Sequence, residues 1–131
     1  MTSETEELNQ LKSQRDQLSA LVLETHPYLV TLHQKPVCLT DKERSRICQL
    51  TDTIYADFSK RLFATVPILS KYEVLLCCLI KLHFSVGEIA TLLAISPASV
   101  STSKSRMKKK IYTHLKLSSE KKSFDSWIWK F

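Results

Sequence analysis

A chain of 131 residues with one glycine, Gly87, and four prolines has little with which to build hairpins. Tight β-turns need residues that accept positive φ, and glycine is the default supplier. Helix starts, by contrast, are plainly marked. Ser3–Glu6, Thr40–Glu43, Ser70–Glu73 and Ser85–Glu88 all have the spacing of a capping box. In that motif the hydroxyl takes the N3 amide and the glutamate reaches back to the cap amide. Each pair precedes an apolar-periodic segment, so the chain reads as all-α. The lone glycine also excludes a glycine-rich phosphate loop or a dinucleotide fingerprint.

The periodicity divides the chain into four parts. Residues 1–39 form an N-terminal coiled-coil-like helix and a short second helix. In the first, over about Thr5–Glu24, Leu8, Leu11, Leu18 and Val22 make a heptad-like stripe that Arg15 interrupts. The stripe fits an intermolecular seam and a surface packed on its own domain equally well. Pro27 suits the first turn of a brief helix through Gln34, which Pro36 closes. Residues 40–66 are expected to hold one connecting amphipathic helix over Asp41–Ala64, with Ile47, Leu50, Ile54, Phe58 and Leu62 inward. Residues 67–117 and an aromatic tail, 118–131, complete the division.

From Ser70 the pattern tightens. Val74, Leu75, Cys78, Leu79 and Leu82 line one side of a helix over 71–82. His83 stands where the chain must turn, histidine being among the non-glycine residues enriched at positive φ. Phe84 follows as the apolar residue that packs back on a helix end. Ser85 caps Val86–Leu93, whose inward residues are Ile89, Ala90 and Leu93, and the small Ala90 allows the next helix to cross closely. Ala94-Ile95 make the turn, Ser96 caps, and Pro97 takes the first helical position. Beyond it Val100, Ser103, Met107 and Ile111 form the inward stripe.

Two short helices joined by a tight turn, the second polar and basic, describe a helix-turn-helix. A recognition helix offers amides and a positive dipole to phosphate at its first turn. Short hydroxyl side chains there approach base edges, while distal cations reach the backbone. The candidate DNA-binding residues are therefore Ser99, Ser101, Thr102, Lys104, Ser105, Arg106, Lys108 and Lys109. Arg106 is the one residue able to make a bidentate contact. Lys108, Lys109 and Lys110 cannot all face the DNA, and Lys110 is expected to point elsewhere.

Charge supports the same end of the chain. The net charge is +6, and eight lysines or arginines fall between Ser96 and Lys122 against Glu120 alone. The first 25 residues instead carry five acidic side chains against Lys12 and Arg15. Such asymmetry suits a polyanion partner. Cys38, Cys48, Cys77 and Cys78 contain no C-x-x-C spacing, and the adjacent pair points about 100° apart on a helix. Reduced, partly buried thiols are the expectation, with no metal and no cofactor. No nucleophile–base pair points to an enzyme. The acidic start and the absence of a long apolar run imply a cytoplasmic chain.

A resemblance emerges from the residues 69–73 (L-S-K-Y-E), 88–100 (E-I-A-T-L-L-A-I-S-P-A-S-V) and 106–111 (R-M-K-K-K-I). About 45 residues resemble the LuxR-type, or GerE-like, helix-turn-helix, which reads L-T-x-x-E, E-I-A-x-x-L-x-I-S-x-x-T-V and R-x-x-x-K-L. The stretch Leu75–Leu82, with Phe58 and Leu62 upstream, is also similar to a bacterial subgroup. There the module ends longer regulators that carry a coiled coil and a tetratricopeptide part. The resemblance implies a double-stranded DNA-binding transcription regulator acting as a homodimer, with the 97–115 helix in the major groove. RNA polymerase is a further expected partner, and a membrane enters only through a missing upstream part. The sequence departs from the family at His83 and Ala94, where Gly or Asn is common, and at Ser103, often His.

Two other readings stand beside it: promoter recognition like that of sigma-factor region four, and a helical protein-interaction module. Phe124, Trp127, Ile128, Trp129 and Phe131 cluster in the tail, and packing across the bundle is favoured over a partner-binding anchor.

Overall fold

The structure, a computed structural model, describes residues 2–117 and 123–131, leaving aside the side chains of 2–3 and 23–25. Glu120, Lys121 and Lys122 of the basic segment lie outside the described residues. The fold is all-α, with eight helices and no strand among the described residues. The chain divides into two compact units, Met1–Lys35 and Pro36–Phe131. The described residues of the segments separated in the sequence at 40–66, 67–117 and 118–131 all fall within the second unit.

The first unit holds α1 (Thr2–Thr25) and α2 (Pro27–Gln34). Helix α1 begins before Ser3, so Ser3 does not occupy the expected cap position; its side chain is outside the description. Leu8, Leu11, Leu18 and Val22 remain between 42% and 63% exposed, which leaves the heptad-like stripe largely uncovered. On α2, Leu29 and Leu32 are buried.

The second unit begins with α3 (Asp41–Ile54) and α4 (Phe58–Thr65), where one continuous helix was expected. The apolar series keeps its spacing through the break, but polar groups exchange helix ends across it. The Asp52 carboxylate accepts from the Ser59 amide and hydroxyl, both at 2.6 Å. Arg61 returns to the residues just past α3, donating to the carbonyls of Ala56 and Tyr55, both at 2.8 Å. Ala56 and Asp57 between them adopt φ of 50° and 59°. Such left-handed residues cost about 1–2 kcal/mol each without glycine, a cost these ionic end contacts offset.

Helix α5 (Lys71–Lys81) opens on the Ser70–Glu73 capping box. It was expected to bury one face, yet every residue from Leu75 to Leu82 is buried. The reason is its position: α3 and α4 pack on it, and so does α8 (Phe124–Lys130). A helix apolar nearly all round belongs at a core. Lys81, only 5% exposed, is the exception. Its ammonium donates to the carbonyls of Trp129 at 2.7 Å and Ile128 at 3.3 Å, and lies 4.7 Å from the Tyr55 ring centre. Charge-assisted bonds and an aromatic face replace the water lost on burial. Trp129 reciprocates, its indole N–H donating to the Ile80 carbonyl at 2.9 Å while its ring stacks on His83. Helices α5 and α8 thus cap each other's C-termini. Trp127 and Phe131 complete the aromatic layer, and Arg61 donates to the Phe131 carbonyl at 2.7 Å.

The turn after α5 follows the residue order expected for it. His83 has φ 66°, its amide donating to Ile80 and the Phe84 amide to Leu79, with Phe84 buried. These are the two bonds of a Schellman ending.

Candidate nucleic-acid interface

Helix α6 (Val86–Leu93) starts on the Ser85–Glu88 capping box and buries Ile89, Ala90, Leu92 and Leu93. It ends at Ala94, held at φ 55°, with the Ile95 amide donating to Ala90 at 3.0 Å. The segment before α3 is tied to the same helix, the Leu39 amide donating to the Leu92 carbonyl at 2.8 Å.

Helix α7 (Pro97–Leu115) packs on α6. The Ser96 hydroxyl accepts from the Ser99 amide at 3.1 Å, and Pro97 takes the first position, where its missing N–H costs nothing. Val100, Met107 and Ile111 are fully buried, as expected, and Ser103 is half-buried. Tyr112, which the apolar stripe did not include, is buried as well, edge-on to Trp127 of α8.

At about 100° per residue the buried stripe leaves one open arc. Ser99, Thr102, Ser105, Arg106 and Lys109 all lie on it and are all exposed. These five of the eight candidate residues share a face: hydroxyls toward the N-terminus, cations toward the middle. Thr113 and Lys116 extend it, and together with Ser105, Lys109 and Tyr112, and with Lys108 at its edge, they line a shallow depression. Sequence reasoning stopped at Lys109, although the i, i+4 and i+3 steps to Thr113 and Lys116 carry the same row onward.

The other three candidates lie along a different row. Ser101 is exposed, but it falls in line with Lys104 and Lys108, at spacings three and seven, toward α8. Lys104 is committed there, with its ammonium 2.7 Å from the Asp125 carboxylate and only 19% of its side chain exposed. Lys108 lies 5.7 Å from the Tyr112 ring centre and is half-buried. Lys110 turns inward as expected, bonding to Glu73 of α5 at 2.8 Å. Burial raises the Glu73 carboxyl, but hydrogen bonds from Lys110 and from the Ser70 cap outweigh it and hold the group below its ordinary range.

Behind α7, the buried Cys77 sulfur contacts Met107 at 3.9 Å. Burial, then the charge of Glu73, push the Cys77 thiol far above its usual range, so it behaves as a small apolar side chain. Among the described residues no group of three or more His, Cys, Asp or Glu is placed to hold a metal ion, and no helix is long and apolar enough to cross a membrane. No protein-family profile, curated protein or solved structure matches this chain.

Proposed function

We propose that this protein is a double-stranded DNA-binding transcription regulator of the LuxR type, reading the major groove with α7. One observation carries the reading. Ser99, Thr102, Ser105, Arg106 and Lys109 share one exposed arc, while Lys104 and Lys110 are drawn into ion pairs with α8 and α5. That arc offers short donors and acceptors where base edges are read and cations where phosphates pass. An interaction module built on α7 needs an apolar outer face, and this face is polar.

The active form is a dimer in the cytoplasm, its two α7 helices about 34 Å apart on successive major-groove turns. The uncovered leucine stripe of α1 supports that assembly. RNA polymerase is the protein such a regulator acts on. Selection of bound duplexes from a random pool, with the mass of the complex measured, tests the reading. A preferred motif bound at two copies per duplex, with affinity falling steeply as salt rises, is expected. Binding to no duplex, or binding insensitive to salt, overturns it.

A further inference from the structure

The packing of α3 on α5 leaves a cleft that shares no lining residue with the open arc of α7. Its volume of about 580 Å³ falls in the range of small-molecule sites, roughly 300–1,000 Å³. Buried Leu75 and half-buried Cys48 lie at its floor, while Tyr72 and Lys71 are exposed around it. Arg44 lines it as well and is half-buried. We propose that this cleft binds a small carboxylate-bearing molecule with an apolar body. Arg44 and Lys71 hold the carboxylate, and the body lies against Tyr72, Cys48 and Leu75.

Two cations carry the proposal. The Arg44 Nε–H is buried and donates to nothing among the described groups. A buried donor left unpaired is costly, so the position calls for an acceptor from outside the chain. Lys71 likewise forms no ion pair among the described residues. It occupies the first position of α5, where a positive side chain opposes the helix dipole. An anion beside it turns that cost into a gain. Glu43 and Glu73, in the first turns of α3 and α5, accept at their own caps, and neither lines the cleft. Among the lining residues Asp41 alone opposes Arg44 and Lys71, so one positive charge is left in excess.

The same residues select among anions. A guanidinium presents its Nε–H and one Nη–H side by side, which matches the two oxygens of a carboxylate, and Lys71 adds a point charge. A monoanion also balances the single excess positive charge, whereas a dianion such as phosphate leaves a negative charge to be repelled by Asp41. Free phosphate, moreover, makes no use of the floor. Leu75, the Cys48 sulfur and the Tyr72 ring offer contact to an apolar ring or chain. An apolar lining with a few fixed polar anchors is the composition of a small-molecule site.

The test titrates the full, isotope-labelled chain with naphthoate and follows its backbone amides by NMR. Naphthamide supplies the same body without the charge; acetate and inorganic phosphate supply charge without the body. Naphthoate should give saturable shifts centred on Arg44, Cys48, Tyr72 and Leu75. The other three probes should bind at least about tenfold more weakly, the factor that about 1.4 kcal/mol of lost contact produces. Arg44→Gln should weaken naphthoate by a similar factor, and Arg44→Lys should restore only part of it, because the ammonium lacks the planar fork. Should the Arg44 variants not fold, Lys71→Gln, an exposed change at a helix start, should weaken naphthoate severalfold while leaving naphthamide unchanged. Absence of saturable shifts, or shifts centred elsewhere, overturns the proposal. So does equal binding of naphthamide, of acetate or of phosphate, or an affinity indifferent to the cations. None of these outcomes bears on duplex binding by α7, which is measured separately.

Discussion

Basic side chains on two helices of one body meet opposite fates. On α5, Lys81 is buried and spends its charge on the last carbonyls of α8. On α7, Arg106 and Lys109 stay exposed on the open arc. Lys104 and Lys110, from the same run of basic residues, side with α5: each is bound to a carboxylate on a neighbouring helix. Local positive charge is therefore a poor guide to a polyanion surface, because part of it is structural. What separates the two classes is helix phase. Residues at the helix phase of Thr102 and Arg106 look outward, while Lys104 and Lys110, off that phase, meet Asp125 and Glu73.

The largest expected effect breaks or keeps this division. Arg106→Ala with Lys109→Ala should lower duplex affinity at least about tenfold, each lost contact being worth about 1–3 kcal/mol. Lys109→Ala alone should reduce the slope of log affinity against log salt by about 1. Lys104→Ala should leave that slope unchanged and lower the melting temperature instead. If Lys104→Ala flattens the salt dependence as Lys109→Ala does, the division between structural and available cations is wrong.

Next in size is Lys81→Met. The flexible thioether fills most of the space but donates nothing to the α8 carbonyls, and an unsatisfied buried acceptor costs about 1–3 kcal/mol. Denaturant unfolding followed by tryptophan fluorescence should show that loss. Trp129 should also become more exposed, because its stacking on His83 depends on α8 staying docked. Unchanged stability would make Lys81 a tolerated charge rather than the tie between the helices.

The sequence was legible where local signals decide. Three capping boxes form as written, at Thr40, Ser70 and Ser85, and His83 turns the chain as its residue type predicts. On α7 periodicity set Val100, Met107 and Ile111 inward as found, but it did not separate Ser101, Lys104 and Lys108 from the open arc. What escaped depended on partners distant in the chain. The break between α3 and α4 hides because Ile54, Phe58 and Leu62 keep helical spacing across it; Asp52 and Arg61 make it by exchanging helix ends. The burial of Lys81 and the diversion of Lys104 both depend on α8: the aromatic tail was expected to pack on the bundle, but no local pattern says which groups it meets there.

A smaller effect follows from acid. Glu73 titrates below its ordinary value of 4.5 in the folded protein. A lowered folded value means the stabilisation is fully present above the unfolded value and is lost as pH falls through the folded one. The wild type should therefore lose stability relative to Glu73→Gln as pH drops below about 4.5. Lys110 is 39% exposed, so solvent screening keeps the difference under about 1 kcal/mol. Thermal melts of both proteins across that window measure it; parallel curves would show that the α5–α7 ion pair contributes nothing.

The smallest effect concerns glycine. Among the described residues five non-glycine positions hold positive φ, one of them Ala94 at the turn into α7, while Gly87 stands exposed inside α6 with nothing within 4 Å of an added Cβ. Local stability alone would place them the other way round. Ala94→Gly should relieve strain of about 1 kcal/mol, partly offset by glycine's extra chain entropy. Gly87→Ala should gain up to about 1 kcal/mol from helix propensity. Each should raise the melting temperature by a few degrees, and the sites are separated enough along the chain for their sum to be worth measuring. Affinity sharpens the contrast between the open arc of α7 and the packed interior. An unaffected duplex affinity in Gly87→Ala confines the contact surface to α7. A fall in affinity despite raised stability means a partner backbone approaches α6 so closely that a methyl group is excluded, extending the surface beyond the arc.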